Sequence, residues 1–346
     1  MKIDFVIPWV DGNDIIWQNK KRKYDKSKKR DYTNSDMRYR DWGTLKYVMR
    51  SIEKNCPWYN KIYLITEGHY PAWLDINHSK IQLICHDDLY FDKSHLPTFS
   101  SSSIEMNLSN IKNLSEYFIY MNDDTLIMKP LKQDRFFMYG KPVDFLSHGW
   151  IPRNKFFKKI RGMNAWANSL KNNIDLINRK FIPIKLENKF IFHKSYSLRI
   201  KISNFLMKYF YHKIIWLEHW HHPIPYLKTT LQDVFSEYKL EMMECSSNRF
   251  RADNDLTQYI YRYWQLASGN FYPYRYNDGK FLKIEVLKDM ELCVNEIEFY
   301  NFYCPNDSIS DEISDMENKE IEKILITKLK EVFSTKASFE KEYENE

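Results

Sequence analysis

The stretch from Ser94 to Pro130, SHLPTFSSSSIEMNLSNIKNLSEYFIYMNDDTLIMKP, joins a Ser-rich turn, a short helix and an apolar strand that ends in two acids. The run Tyr117 to Met121, YFIYM, is aromatic and β-branched and is short enough for a core strand. Asn122, Asp123 and Asp124 come next, just past the carboxyl end of that strand. Ligands of open α/β sheets bind at this edge. The stretch therefore predicts an α/β sheet with an acidic site at its edge.

The paired acids have two interpretations. Adjacent carboxylates repel each other unless a cation, a hydrogen-bond network or solvent relieves them. Mg²⁺ or Mn²⁺ bound together with a substrate phosphate would do so. The alternative is an Asx-type turn that caps the strand, and these residues alone leave both open.

Strands and helices alternate over the first 150 residues. The patterns predict strands at Lys2 to Val10, Lys61 to Thr66 and Ile81 to Cys85, and helices from the Asp11 turn to about Arg30 and from Trp42 to Asn55. Such alternation is typical of an α/β fold with a Rossmann-like, mainly parallel sheet.

Beyond Gly149 the pattern becomes basic, aromatic and helical, which predicts a helical insertion or cap. The predicted division is 1–150 for the N-terminal part of the catalytic core, 151–216 for the insertion, 217–305 for the C-terminal part of the core, and 306–346 for a linker and terminal helix. The predicted elements are helices at Lys155 to Asn178, Ser195 to Trp216, Thr229 to Tyr238, Asn254 to Ala267 and Lys319 to Phe333, a strand at Phe281 to Val286, and a flexible linker at Asn306 to Asn318.

Composition favours a folded globular protein. The chain has 346 residues, is 43% apolar and 16% aromatic, and contains only 8 Gly, which excludes low-complexity and fibrous classes. Its five cysteines are widely spaced and form no CxxC, so neither a disulfide framework nor a cysteine zinc site is expected, and a reducing cytosol fits. No apolar stretch is long enough to span a bilayer, and the amino terminus lacks a signal-peptide pattern.

The net charge of +6 is unevenly distributed: Lys20 to Arg30 holds eight bases and one acid, whereas Asp311 to Glu346 holds eleven acids and six bases. The basic run fits a solvated helix face, a phosphate-rich substrate or acidic lipids. No nucleic-acid module accompanies it, so we expect no nucleic-acid partner.

Two polar segments that could bind a ligand precede the second predicted helix. The turn Asp11-Gly12-Asn13-Asp14 suits a nucleotide sugar or its metal ion, or else a type I turn with a helix cap. Arg38 and Arg40 offer guanidinium groups for a diphosphate, with Asp41 as a helix N-cap, or else a structural Arg-Asp pair.

Two further groups lie late in the chain. Glu218 to Pro223 holds His219, His221 and His222, and Pro225 makes a helix there unfavourable, so an imidazole in a loop is a candidate general base. Zinc is the competing reading, but no H-E-x-x-H spacing supports it. Arg249 and Arg251, just before Asp253 and Asp255, suit a phosphate or a helix cap.

Taken together, these segments resemble the four conserved regions of the Stealth family, in the same order. The resemblance rests on IDFVIPWVDGND; on RYRDWGTLKYVMRSIEKNCPWYNKIYLIT with LPTFSSSSIEMNL and YFIYMNDD; on HHPIPYLK leading to NRFRADND; and on LCVNE with VFSTKASFE. Stealth proteins are hexose-1-phosphate transferases. Bacterial members build phosphodiester-linked capsular or surface polysaccharides, and the animal relative adds GlcNAc-1-phosphate to lysosomal-enzyme glycans.

The resemblance implies roles for individual residues. Donor and phosphate contacts are expected from Asp11, Gly12, Asn13, Asp14, Arg38, Arg40, Asp41, Ser100 and Arg249. Catalytic roles are expected for Asp123, Asp124, Arg251 and His221, with His222 as the fallback base. Metal contacts to Mg²⁺ or Mn²⁺ are expected from Asp124, Asp255 and Asn295. Two departures stand out: Ile15 replaces a frequent Pro, and the fourth region reads Asn295-Glu296 where Asn-Asp is usual.

The implied reaction transfers a hexose-1-phosphate or N-acetylhexosamine-1-phosphate from a UDP-sugar to an oligosaccharide or lipid-linked glycan, releasing UMP. Competing hypotheses are a metal-dependent glycosyltransferase that releases UDP and a non-catalytic glycan- or polyanion-binding protein. Because nothing precedes the first region, a bacterial cytoplasmic enzyme is expected. The aromatic and basic segment Ser195 to Trp216 fits either peripheral contact with the inner face of the membrane or a buried cap helix.

Overall fold

The computed structural model describes residues 1–25, 39–149, 165–309 and 313–342. The strands are β1 (Ile3–Pro8), β2 (Ile62–Thr66), β3 (Ile81–Cys85), β4 (Tyr117–Tyr120), β5 (Leu126–Ile127), β6 (Phe137–Met138), β7 (Lys141–Asp144), β8 (Ile224–Leu227), β9 (Tyr272–Pro273), β10 (Gly279–Ile284) and β11 (Phe302–Asp307).

The helices are α1 (Ile15–Tyr24), α2 (Leu45–Asn55), α3 (His86–Leu89), α4 (Ser101–Glu105), α5 (Ala165–Lys180), α6 (Asn188–Ile191), α7 (Leu198–Leu206), α8 (Lys228–Glu237), α9 (Lys239–Ser246), α10 (Tyr259–Ser268), α11 (Leu287–Glu296) and α12 (Asp315–Val332). A π-helical turn, Met207–Tyr211, extends α7, and short 3₁₀ turns lie at Lys93–His95, Leu108–Asn110, Gln133–Arg135, Pro183–Lys185 and Ile297–Phe299.

A five-stranded sheet in the order β3-β2-β1-β4-β8 forms the centre of the fold. Its first four strands are parallel, and β8 joins the edge antiparallel to β4. Phe5 of β1 is in register with Ile62 on one side and Ile119 on the other. The predicted mainly parallel α/β fold is confirmed.

Both faces of this sheet are covered, as parallel strands require. Phe5 and Ile119 pack on one face with apolar residues of α2 and α12, and Val6 and Phe118 pack on the other with residues of α10. Successive residues of a strand point to opposite faces, so the apolar run YFIYM supplies both cores. The sheet is therefore rigid, and the loops at its carboxyl edge have a fixed base.

Two three-stranded sheets flank the centre, in the orders β10-β11-β5 and β6-β7-β9. Strand β5 begins two residues after Asp124, and its Leu126 pairs with Tyr303 of β11. Because of this pairing, the end of β11 lies beside the acidic turn at Asp123 and Asp124. The flexible linker predicted for 306–318 is therefore wrong at its start, since Asn306 and Asp307 are the last residues of a strand.

The segment around residues 195–216 is less regular than predicted. The single expected helix is α7 followed by the π-helical turn, which ends where His212 adopts a left-handed φ of 53°. Within the described ranges, no helix combines the length and apolar character needed to cross a bilayer.

Candidate active site

Loops at the carboxyl edge of the central sheet enclose a cleft of about 340 Å³. It lies where β1, β3 and β4 end, between the segment that leads into α4 and the loop before α10. The predicted residues that line it are Ser100, Asp123, Asp124, His221, Arg251 and Asp255. The structure thus brings together residues that are more than 150 positions apart in the chain.

His221 lies directly against the acidic turn. Its Nε2 atom is 2.9 Å from Asn122 Nδ2 and 3.6 Å from Asp124 Oδ1. The Asn122 amide nitrogen can only donate, so Nε2 accepts from it while the ring is neutral, whereas an ion pair with Asp124 requires the protonated ring. The ring of Phe281 packs against the imidazole with a centroid distance of 5.2 Å. His221 is therefore oriented and lines the cleft.

The pKa values of Asp123 and Asp124 are shifted in opposite directions. Burial and the neighbouring Asp124 carboxylate raise the pKa of Asp123 well above its usual value. Burial also acts to raise the pKa of Asp124, but its interactions with His221 and Asn306 outweigh this and lower it. Asp124 is thus the ionised member of the pair, and Asp123 retains a proton readily when no cation is near.

Asn306 is a site residue that sequence reasoning missed. Its Nδ2 atom donates to Asp124 Oδ2 at 3.3 Å, and the side chain lines the cleft. The chain also carries an Asn-Asp pair at Asn306-Asp307, at the end of β11. That pair at the end of a strand was the signal that could have identified it.

Among the described residues, Asp124, His221 and Cys304 form one group with ligand atoms within 4.8 Å of one another. Burial and the Asp124 carboxylate raise the pKa of the Cys304 thiol well above its usual value, so the sulfur is protonated when no metal is bound. Mg²⁺ prefers oxygens, which Asp123, Asp124 and the Asn306 amide supply. A cation bound there would also relieve the repulsion between the two adjacent carboxylates.

Arg251 supplies positive charge to the cleft. Its Nη2 atom donates to Ser101 Oγ at 3.1 Å, and its charge acts to lower the pKa of both Glu105 and Asp255. Asp255 lines the cleft but accepts hydrogen bonds from Ala252 N at 3.0 Å and Asn248 Nδ2 at 2.8 Å. Its carboxylate therefore orders the Arg251 loop and lies outside the Asp124 metal group.

The end of the cleft that is lined by Trp17, Tyr39 and Phe99 combines aromatic rings with polar groups. These polar groups have no hydrogen-bond partner among the described residues. Trp17 packs against Tyr39 and Phe99 with ring centroids 5.0 and 5.6 Å apart. Ser100 Oγ and both ring nitrogens of His86 are buried without a hydrogen bond to any described residue. Burial lowers the pKa of His86 to about 3, so this ring is neutral. This end can stack an aromatic group and hydrogen-bond to it.

The turn at residues 11–14 does not line the cleft. Asp11 Oδ1 accepts from Asn13 N, and Asp14 Oδ1 accepts from Ile16 N, both at 2.8 Å, so Asp14 is the N-cap of α1. A Cβ on Gly12 would lie 1.5 Å from Tyr39 O, so only glycine lets the Tyr39 backbone approach. The alternative interpretation, a capped turn, describes this segment.

Arg40 and Asp41 are also held by protein groups. Arg40 Nη1 donates to both oxygens of Asp307, at 3.1 and 2.9 Å. Asp41 accepts from Trp9 Nε1 at 3.1 Å and Gly43 N at 2.7 Å, and the N-cap of α2 is Thr44, so the N-cap predicted at Asp41 is wrong. Arg38 lies outside the described residues.

Three further predicted residues point elsewhere. His222 does not line the cleft and instead lines a separate small cavity, where burial and the nearby Arg135 lower its pKa. Arg249 stacks on Tyr24, 4.7 Å from the ring centre. Asn295 lines a surface groove between α11 and α12. The structure therefore gives no support to His222 as base or to Asn295 as a metal contact.

Comparison with known proteins identifies the family of this chain. Two family models match, Stealth protein CR1, conserved region 1, over residues 1–29 and Stealth protein CR2, conserved region 2, over residues 38–144. The capsular polysaccharide phosphotransferase WcwK of Streptococcus pneumoniae is 38% identical over 98% of both chains. The chain belongs to the Stealth family.

Other relatives agree with this membership. The receptor polysaccharide phosphotransferase WefC of Streptococcus gordonii is 35% identical over 78% of this chain and 79% of its own. The exopolysaccharide phosphotransferase cps2G of Lactiplantibacillus plantarum is 32% identical over 85% and 87%. The Stealth chain described here is therefore an enzyme, a phosphotransferase. The first two of its four predicted regions are confirmed, and the other two stay predictions.

Proposed function

We propose that this enzyme transfers a hexose-1-phosphate or N-acetylhexosamine-1-phosphate from a UDP-sugar to a glycan hydroxyl, forming a phosphodiester in a bacterial capsular or surface polysaccharide. The observation that carries the proposal is His221 beside the paired acids, with Arg251 across the same cleft. The relatives named as polysaccharide phosphotransferases support the substrate class.

In this mechanism the acceptor hydroxyl oxygen attacks the sugar-proximal phosphorus of the donor. A bond forms between that oxygen and phosphorus, the bond from phosphorus to the UMP oxygen breaks, and UMP leaves. His221 Nε2 takes the hydroxyl proton. Asp124 is the weaker choice of base, because its lowered pKa makes its carboxylate less basic, and it instead stabilises the imidazolium that forms.

Charge on the reacting phosphates would be balanced by Arg251, whose guanidinium can bind two phosphoryl oxygens at once. Mg²⁺ or Mn²⁺ held by Asp124, Asn306 and Asp123 would neutralise further charge on the diphosphate and leaving group. The aromatic end of the cleft, with His86 and Ser100, suits the uracil ring, which can stack and accept hydrogen bonds.

The acceptor is an oligosaccharide or a lipid-linked glycan, and the place of action is the bacterial cytoplasm at the inner face of the membrane. A glycosyltransferase would use similar acids and the same donor but would attack the anomeric carbon. Its leaving group would be UDP. The released nucleotide therefore separates the two reactions.

The test is a screen of UDP-sugars with chromatographic detection of the released nucleotide and phosphorus NMR of the product. We expect UMP and a phosphodiester resonance, both lost in Asp124→Asn. Leu240→Ser, at an exposed residue outside the cleft, is the matched control and should keep full turnover. UDP release with a product free of phosphorus would refute phosphotransfer.

A further inference from the structure

The outward face of α7 and its π-helical turn is apolar, although the outward face of a surface helix is normally polar. Leu198, Ile202, Phe205 and Tyr209 are spaced four, three and four residues apart, so they share one side. They are 73, 44, 49 and 40% exposed, and the adjoining Phe210 is 70% exposed. These five residues are called the apolar stripe.

The inward face of the same helix is firmly attached, because Ile200 is buried in the apolar core and its polar neighbours are hydrogen-bonded. Ser203 donates to His148 O, and Asn204 Nδ2 donates to Leu146 O at 2.9 Å and to Ile191 O at 3.1 Å. Asn204 Oδ1 accepts from His148 N at 3.0 Å. These bonds and the buried Ile200 hold α7, and among the described residues the only side-chain hydrogen bond from the apolar stripe to another helix runs from Tyr209 Oη to Asn188 Oδ1 at 3.3 Å.

A basic rim surrounds the apolar stripe. Residues 181–217 contain a single acid, Glu187, and seven bases: Lys185, Lys189, Lys194, Arg199, Lys201, Lys208 and Lys213. Arg199 and Lys201 lie on either side of the stripe at 100° per residue, and Lys213 is exposed just beyond it. Of the seven, only Lys208 is buried.

We infer that the apolar stripe and its basic rim dock this enzyme on the anionic surface of a lipid membrane. Exposed aromatic and aliphatic groups flanked by lysine and arginine suit the interface between acyl chains and anionic headgroups. A second copy of this chain fits less well. A two-fold contact sets the same surface against itself, so the basic rim would face another basic rim.

Docking would also position the cleft, and this consequence rests on the proposed function. The π-helical turn ends at Tyr211, and the chain then pairs Leu217 with His148 and reaches His221. One short segment thus carries both the membrane contact and the base. A lipid-linked acceptor would meet the cleft at a fixed depth.

The experiment is co-sedimentation of the full chain with vesicles of phosphatidylglycerol and phosphatidylcholine, compared with phosphatidylcholine alone. We expect binding to the anionic vesicles that weakens with added salt. The neutralising changes Arg199→Gln and Lys213→Gln should each weaken partitioning about fivefold. Phe205→Ser with Phe210→Ser should abolish it, whereas Leu240→Ser and Lys239→Gln, exposed sites on α9, should have no effect.

Because all of these side chains are exposed or lie outside the cleft, the variants should keep their thermal stability and their turnover of a water-soluble acceptor. Equal sedimentation of the native chain and the Phe205/Phe210 variant would overturn the inference. So would a stable dimer that the same pair of changes dissociates. Vesicle binding is measured without the sugar donor, so its outcome does not depend on the proposed reaction. Vesicle binding can be absent while UMP is released, and it can be present while no UMP is released.

Discussion

The buried Glu105 should make the stability of this protein fall as the pH rises from 4.5 to about 7. Its carboxylate lines the floor of the cleft and accepts from Tyr120 Oη at 3.0 Å and from Gln258 N at 2.7 Å. Burial, only partly offset by these bonds and by Arg251, raises its pKa from 4.5 to about 7. The folded state therefore holds a proton that the unfolded chain releases at lower pH.

The direction of this pH dependence follows from the coupling between proton binding and folding. An acid whose pKa is raised on folding stabilises the folded state fully below its unfolded pKa, and the contribution is lost as the pH rises through the folded value. Between 4.5 and about 7, at about 1.4 kcal/mol per pH unit, the loss is about 3 kcal/mol of the free energy of unfolding. Glu105→Gln keeps the shape and cannot ionise, so it should remove this loss.

The assay is urea unfolding of the native chain and Glu105→Gln from below pH 4.5 to above pH 7. The two free energies of unfolding should be similar at the acidic end, and the variant should be more stable at the alkaline end by about 3 kcal/mol. Glu291→Gln, at an exposed residue of α11, is the matched control and should follow the native curve. Parallel curves for Glu105→Gln and the native chain would show that the pKa of Glu105 is not raised on folding.

Three further changes test the site. His221→Gln should lower kcat for UMP release by about 10² to 10⁴ because the base is lost, whereas His222→Gln should lower thermal stability more than kcat; equal losses of kcat would contradict the choice of base. Asn306→Ala should weaken activity and raise the Mg²⁺ concentration needed for half-maximal rate by about 10-fold or more, while Asn295→Ala should leave both unchanged; the opposite ranking would move the metal site. Gly12→Ala should lower the melting temperature, because its Cβ would meet Tyr39 O at 1.5 Å; an unchanged melting temperature would contradict the close approach.

Local patterns were enough to predict the parallel core. Strand β3 has the predicted bounds, and β1 and β4 differ from prediction only at their ends, because apolar runs of this length pack on both faces of a sheet. The acidic turn could be predicted because its residues directly follow the apolar run that forms β4. Such reasoning could not detect β5 and β9, which have two residues each and exist only through their partners.

The same limit explains the outcome at the site. Asn306 reaches Asp124 because β11 pairs with β5, a contact between distant parts of the chain that no local pattern encodes. Asp14 and Asp41 were ambiguous because a carboxylate that caps a turn and one that binds a ligand have the same sequence signature. His221 and His222 were separable only once the structure placed them in different cavities.

The most direct test of phosphotransfer is phosphorus NMR of the product made from a UDP-sugar carrying an isotopic oxygen label between the sugar and its phosphorus. We expect the label, the sugar and the phosphorus all to pass into a phosphodiester while unlabelled UMP is released. Transfer of the sugar alone, with the label retained in released UDP, would contradict that expectation.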